Sequence, residues 1–250
     1  MKKQVNTTKN LLLNKGCYSP KENLRIYNKW FKTPRKTFQL AKDLFSFDKK
    51  VVCDIGCAYG SNLIHCSSKS YGIEIEEYPS RFAKSIGLCV HQMDIFGDIS
   101  SLTKADIVWS ADTLEHLESP HIFLRKIHQL LTDEGLIILK IPTIPHHHIP
   151  LPFIRSYQKG YAYGDHINGF TCSTLRFFCE RSGFKTLVSG VFLSPLFRFL
   201  NIPLITENTG QTIYVGKKIP KWHYPKNSTR IAAENDTGFV SKGLSFLDQK

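Results

Sequence analysis

Residues 51–60 read V-V-C-D-I-G-C-A-Y-G. An apolar run that meets an acid and then two glycines predicts a buried strand feeding a tight turn into a helix. Asp54 falls at the strand end, where a carboxylate can accept hydrogen bonds from a cationic or hydroxylated ligand. Gly56 permits backbone dihedrals closed to other residues, and Gly60 lets the next helix start close to a ligand. The N–H groups of the intervening loop, Cys57 and Ala58 included, are expected to be free for electron-rich partners. A glycine turn of this kind occurs in many α/β proteins, so its neighbours decide its meaning.

Working outward, residues 71–75, Y-G-I-E-I, predict a second strand whose acid, Glu74, comes twenty residues after Asp54 and is followed by Ile75. A carboxylate at that offset is where a Rossmann-like sheet binds ribose hydroxyls. Residues 88–93 predict a third strand that delivers Asp94 and Ile95, and residues 105–110 a fourth that ends at Ser110. Four strand ends, each with a polar residue, then face one crevice.

In this order and spacing the chain resembles the class I S-adenosylmethionine-dependent methyltransferases, specifically the type 11 and type 23 domains. The resembling residues are D-I-G-C-A-Y-G, Y-G-I-E-I, Q-M-D-I, D-T-L-E-H-L-E-S-P and L-L-T-D-E-G-L-I-I-L-K-I-P, across roughly 49–190. The resemblance implies an α/β fold: a seven-stranded, mostly parallel Rossmann-like sheet with helices on both faces and strand seven antiparallel beside strand five. It also implies S-adenosylmethionine as cofactor, held by Asp54, Gly56, Cys57, Ala58, Gly60, Glu74, Ile75, Asp94, Ile95 and Ser110. By the same likeness Asp94 sits beside the adenine amine, and Met93 and Ile95 flank the base. One position departs from the pattern, because the family usually has glycine where Ala58 stands.

A chain of 250 residues suffices for one substantial α/β core. Its 33 basic and 21 acidic side chains are unevenly spread: residues 1–50 hold 13 basic and 3 acidic, whereas residues 51–219 hold 15 of each. The excess is therefore an N-terminal arm rather than a property of the core. Seven cysteines form no C-x-x-C pair and several lie in apolar strands, which fits reduced thiols in a cytoplasmic protein. No apolar run reaches membrane-spanning length.

Residues 1–48 read as a basic extension with cap helices, residues 49–219 as the catalytic domain and residues 220–250 as a polar tail. The first twenty residues, with little periodic apolar content, are expected to be poorly ordered unless pinned to the core. After Pro34, Phe38, Ala41 and Phe45 share one helical face. By resemblance Tyr27, Trp30 and Phe31 cover the cofactor; packing on the sheet edge is the alternative. Ser119-Pro120 opens a helix with Ile122, Phe123, Ile127, Leu130 and Leu131 on its buried stripe. Residues 142–169, rich in proline and histidine and without a period, form a substrate lid over the crevice. Thr171 or Ser173 caps the helix that follows.

Methyl transfer from a sulfonium needs donor and acceptor held in line and, for a hydroxyl acceptor, a proton removed. The candidate groups are His116, His166 and Asp112, with Glu115 and His146-His147-His148 as further titratable side chains. Adjacent histidines in an extended loop point in alternating directions and no second cluster has metal spacing, so no metal is expected. The expected activity is methyl transfer to an oxygen or nitrogen of a small-molecule acceptor: a sugar, a lipid precursor or a secondary metabolite. The alternative is a nucleic-acid (RNA) modifying or binding protein that grips phosphates with the basic arm. Against it, residues 110–113 read S-A-D-T, not the Asn/Asp-Pro-Pro-aromatic motif of DNA amino methyltransferases.

Overall fold

In the computed structural model, which describes residues 2–32, 35–143, 165–190 and 211–223, the stretch at 51–60 forms strand β1 (Val52–Ile55) and a turn. Six further strands complete one sheet: β2 (Tyr71–Glu74), β3 (Val90–Gln92), β4 (Ala105–Ala111), β5 (Leu131–Pro142), β6 (Phe184–Gly190) and β7 (Gln211–Lys218). Their spatial order is β3-β2-β1-β4-β5-β7-β6, with β7 antiparallel to both of its neighbours and the other pairings parallel. This is the expected doubly wound sheet.

Strands β4 and β5 lie at its centre, and Ile107, Val108, Ile137, Ile138 and Leu139 are fully buried. Burial on both faces is why their sequences run apolar without alternation. Helix α4 (Glu77–Ser85) joins β2 to β3, and helices α5 (Pro120–Leu130) and α6 (Cys172–Glu180) cover one face through Phe123, Leu124, Ile127 and Leu175. On the other, α3 (Lys36–Phe45) contributes Phe38 and Ala41. There Phe38 and Phe47 meet Trp109 edge-on at 5.4 and 6.1 Å, a favoured aromatic geometry. On α5, Leu124 is buried and Ile122 is exposed, and Ser119 makes no side-chain cap bond. Thr171 caps α6 through a reciprocal box with Thr174.

Two further expectations take definite form, the first by its stated exception and the second as a correction. The first twenty residues carry helix α1 (Lys2–Lys15), and Leu12 on it is fully buried against Ile26, Tyr27, Phe82 and Ile86. One buried leucine is worth about 1.5–3 kcal/mol, and further contacts pin the segment. Tyr18 stacks on Tyr78 at 3.9 Å, and Asn23 of α2 (Pro20–Ile26) donates to the carbonyls of Gly16 and Tyr18. Second, no α-helix follows the glycine turn; a 3-10 turn, Leu63–His65, stands in its place. Only residues 56–70 separate β1 from β2. The glycine turn takes one end of that span, and at the other the hydroxyls of Ser67 and Ser70 bond the carbonyl of Lys50. Among the described residues no helix is long and apolar enough to cross a membrane.

Candidate active site

From β1 the chain winds one way to β2 and β3, and from β4 the other way to β5. Where the winding reverses, the loops diverge and leave a crevice outside the carboxyl ends of β1 and β4, the usual ligand position in such sheets. Asp54 lies there, 2% exposed, and its Oδ2 has no hydrogen-bond partner among the described residues. Burial pushes its carboxyl up to about 8, with Glu74 adding to the effect and the Arg35 guanidinium opposing it. An orphaned buried acid is costly, and a cationic or donor-bearing ligand would relieve it.

Glu74 at the end of β2 binds the turn: one oxygen accepts from the Ala58 amide at 2.7 Å, the other from Glu76 at 3.0 Å. The amides of Gly56 and Cys57 both donate to the Ile73 carbonyl, at 2.9 and 3.3 Å. These N–H groups, expected to be free, are spent on β2 and shape the loop. Gly56 has φ 71°, and a Cβ there would stand 2.5 Å from Thr113 Oγ1. Ala58 adopts φ 47°, the left-handed region that explains the family's glycine. Gly60 owes its lack of a side chain to Leu88, whose Cδ1 would lie 2.3 Å from a Cβ.

The other predicted contacts separate into two groups. Ile75 and Asp94 are exposed, and Asp94 accepts from the Phe96 amide at 2.8 Å. Cys57, Ile95 and Ser110 are buried. The Cys57 sulfur packs on Gly72, Ile95 joins the central core, and Ser110 donates to the Ile55 carbonyl at 3.1 Å. Above the turn, Trp30 leans on Tyr59 at 5.4 Å, and Arg35 lies over Trp30. Tyr27 is buried beneath, so part of the expected cover packs as core.

Beyond β4 the chain reverses at Asp112, whose φ of 52° an aspartate tolerates better than most residues. Both its oxygens bond Lys140 Nζ, at 2.7 and 2.6 Å, and Arg35 is 3.9 Å away. A 3-10 turn, Leu114–His116, then carries Glu115 inward to 1% exposure, and burial pushes its carboxyl up to about 7. Neither of its oxygens has a hydrogen-bond partner among the described residues. Residues 165–168 return to this point: the amides of Ile167 and Asn168 donate to the Glu115 carbonyl at 3.0 Å, and Asn168 Nδ2 reaches Leu117 O. His116 Nδ1 meets the Asp165 carbonyl at 3.0 Å, and the His116 and His166 rings lie 4.8 Å apart. The structure thus joins both predicted histidines and seats them on Glu115, fifty residues away from His166 in sequence. The remainder of the lid, with His146-His147-His148, lies outside the described residues.

Comparison with known proteins agrees with this architecture. The type 23 methyltransferase domain family matches residues 28–189, more than half of the chain. No curated protein matches. A SAM-dependent methyltransferase from Archaeoglobus fulgidus is similar at 20% identity and a TM-score of 0.56, over 78% of this chain and 98% of that one. A possible histamine N-methyltransferase from Thermotoga maritima is 17% identical with a TM-score of 0.55, over 78% and 95%. The [4+2]-cyclase SpnF shares the fold at 13% identity and a TM-score of 0.56, over 73% and 80%. Identity this low speaks to fold alone, and the family match carries the assignment: the chain belongs to the methyltransferase domain family and is a class I S-adenosylmethionine-dependent methyltransferase.

Proposed function

We propose that this enzyme methylates an oxygen or nitrogen of a small-molecule acceptor, with the donor held outside β1 and β2 and the acceptor outside β4. The observation that carries the reading is a pair of buried acids, one on each side of the switch point: Asp54, whose Oδ2 lacks a hydrogen-bond partner among the described residues, and Glu115, both of whose oxygens lack one. The donor chemistry fits the first. S-adenosylmethionine, when bound, supplies an electrophilic methyl on a sulfonium that leaves as a neutral thioether. Asp54 answers its cationic and hydrogen-bond-donating groups, Glu74 receives the ribose hydroxyls, and Asp94 takes the adenine amine from the rim. Gly56, Cys57, Ala58 and Gly60 shape the turn, Met93 flanks the base with the buried Ile95 beneath it, Ile75 lies at the exposed rim, and Ser110 holds β4 to β1. Trp30 and Arg35 exclude water from above.

On the acceptor side, the group of Glu115, His116 and His166 removes the proton of a hydroxyl acceptor. Asp112 is engaged by Lys140 and positions rather than deprotonates. Removing a positioned base typically costs about 10²–10⁴ in rate, so His116→Ala and His166→Ala should lose turnover on that scale while still binding the cofactor. The basic arm, with 13 basic against 3 acidic residues in 1–50, favours RNA as the second reading of the acceptor. A screen with methyl-labelled donor against small-molecule pools and total RNA decides between them. Label in a small molecule supports the proposal, and label in RNA alone overturns it.

A further inference from the structure

Glu115, His116 and His166 place a carboxylate oxygen and two imidazole nitrogens within 4.8 Å of one another. Two imidazoles and a carboxylate are a donor set suited to first-row divalent ions, and three ligands leave positions open for other oxygens. The carboxylate is buried with both oxygens lacking a hydrogen-bond partner among the described residues, although buried carboxylates are ordinarily paired or bound to metal. The tautomer of His116 agrees. Its Nδ1 faces the Asp165 carbonyl at 3.0 Å and can only donate there, with the Asp165 carboxylate 3.7 Å away, so in the neutral ring the lone pair lies on Nε2, 4.0 Å from Glu115 Oε1. A backbone carbonyl behind the ring is the usual support of a metal-binding histidine. Ligand atoms about 2.1 Å from one ion in a tetrahedral set lie about 3.4 Å apart, so the longest separation must close by somewhat more than an ångström when an ion binds.

We infer that Glu115, His116 and His166 form a binding site for a divalent first-row transition-metal cation at the carboxyl end of β4. Its role rests on the methyltransferase reading above. With its open positions directed at the acceptor, the cation lowers the pKa of an acceptor hydroxyl, and the proton passes to solvent. The resulting oxyanion forms the O–CH3 bond as the S–CH3 bond breaks, the electron pair stays on sulfur, and the cation keeps its oxidation state. The histidines then serve as ligands, and the acceptor class narrows to a hydroxyl.

The test is a calorimetric titration of Zn2+, and separately Co2+ with its visible spectrum recorded, into the chelator-stripped full-length protein without cofactor or acceptor. One equivalent should bind, with a Co2+ spectrum that carries imidazole ligation. Glu115→Gln and His166→Ala should each weaken binding about 100-fold or more, since even outer partners of such ligands are worth 10–100-fold. A variant with His146, His147 and His148 all replaced by alanine should bind as the wild type does. Absence of stoichiometric binding, or binding lost in the triple variant and kept in Glu115→Gln, overturns the inference. Retained cofactor binding by each variant shows that it is folded. Because the titration needs no methyl transfer, its failure leaves the methyltransferase reading standing.

Discussion

Asp54 and Glu115 flank the same switch point, both buried and each with at least one carboxylate oxygen that lacks a hydrogen-bond partner among the described residues, yet the chain supports them differently. Asp54 belongs to a unit made of short-range parts: one strand, one turn, and the second strand that starts at Tyr71. Glu115 is held from both ends of a long excursion, by the turn after β4 and by residues 165–168. The side proposed for the donor is therefore built from β1, its turn and β2 alone. The side proposed for the acceptor is assembled from segments that sequence separation lets vary independently, which suits a fold that keeps one methyl donor and changes acceptors.

The sharpest way to break this contrast is Glu74→Ala. It removes the acceptor of two backbone amides, each charge-assisted bond being worth about 1.5–3 kcal/mol, so urea unfolding should show a loss of about 3 kcal/mol. A loss under about 0.5 kcal/mol would mean that the turn is held some other way.

Gly56→Ala probes the seam between the two sides, because the new methyl meets Thr113 of the β4 loop at φ 71°. The left-handed backbone alone costs about 1–2 kcal/mol, and Thr113 must also move. Thermal unfolding should fall accordingly, with both cofactor affinity and turnover affected.

Asp54→Asn sharpens the electrostatic half. Its folded pKa is raised from 3.8 to about 8 by burial, so the unfolded chain releases this proton first as pH rises. The group's stabilisation is complete below the unfolded pKa and is lost as pH climbs through the folded one, by at most about 1.4 kcal/mol per pH unit. Relative to Asp54→Asn, the ligand-free wild type should thus lose stability between pH 5 and pH 8 in denaturant titrations. Parallel profiles would show that Asp54 is solvated or paired.

Ala58→Gly is expected to have the smallest effect. Relief of φ 47° is offset in part by the greater freedom of glycine in the unfolded chain, leaving a gain of under about 1 kcal/mol. Thermal unfolding resolves it.

These same residues show what the sequence could reveal. Asp54, Gly56 and Glu74 were legible because a strand, its terminal acid and a required positive φ leave marks within a few residues. The identity of β4 and β5 as central strands was legible from unbroken apolar runs. Leu12 was not, because a short leucine run in a lysine- and asparagine-rich helix does not say which leucine faces inward; its partners Ile26 and Tyr27 belong to the next elements, and Phe82 and Ile86 lie some seventy residues on. The spent amides of Gly56 and Cys57 were hidden too, since turn residues declare their dihedrals and not their bonding. Glu115 with His116 and His166 shows the limit most plainly: the sequence offers each as a separate candidate, and the cluster exists only through the return at Asp165.

The most direct test is a calorimetric titration of S-adenosylmethionine into the wild type, Asp54→Asn and Glu115→Gln, each checked for its fold by circular dichroism. One equivalent should bind to the wild type, about 10-fold or more weakly to Asp54→Asn, and to Glu115→Gln with affinity within about threefold of the wild type. A folded Asp54→Asn that binds the cofactor as the wild type does would contradict the placement of the donor at the β1 side of the switch point.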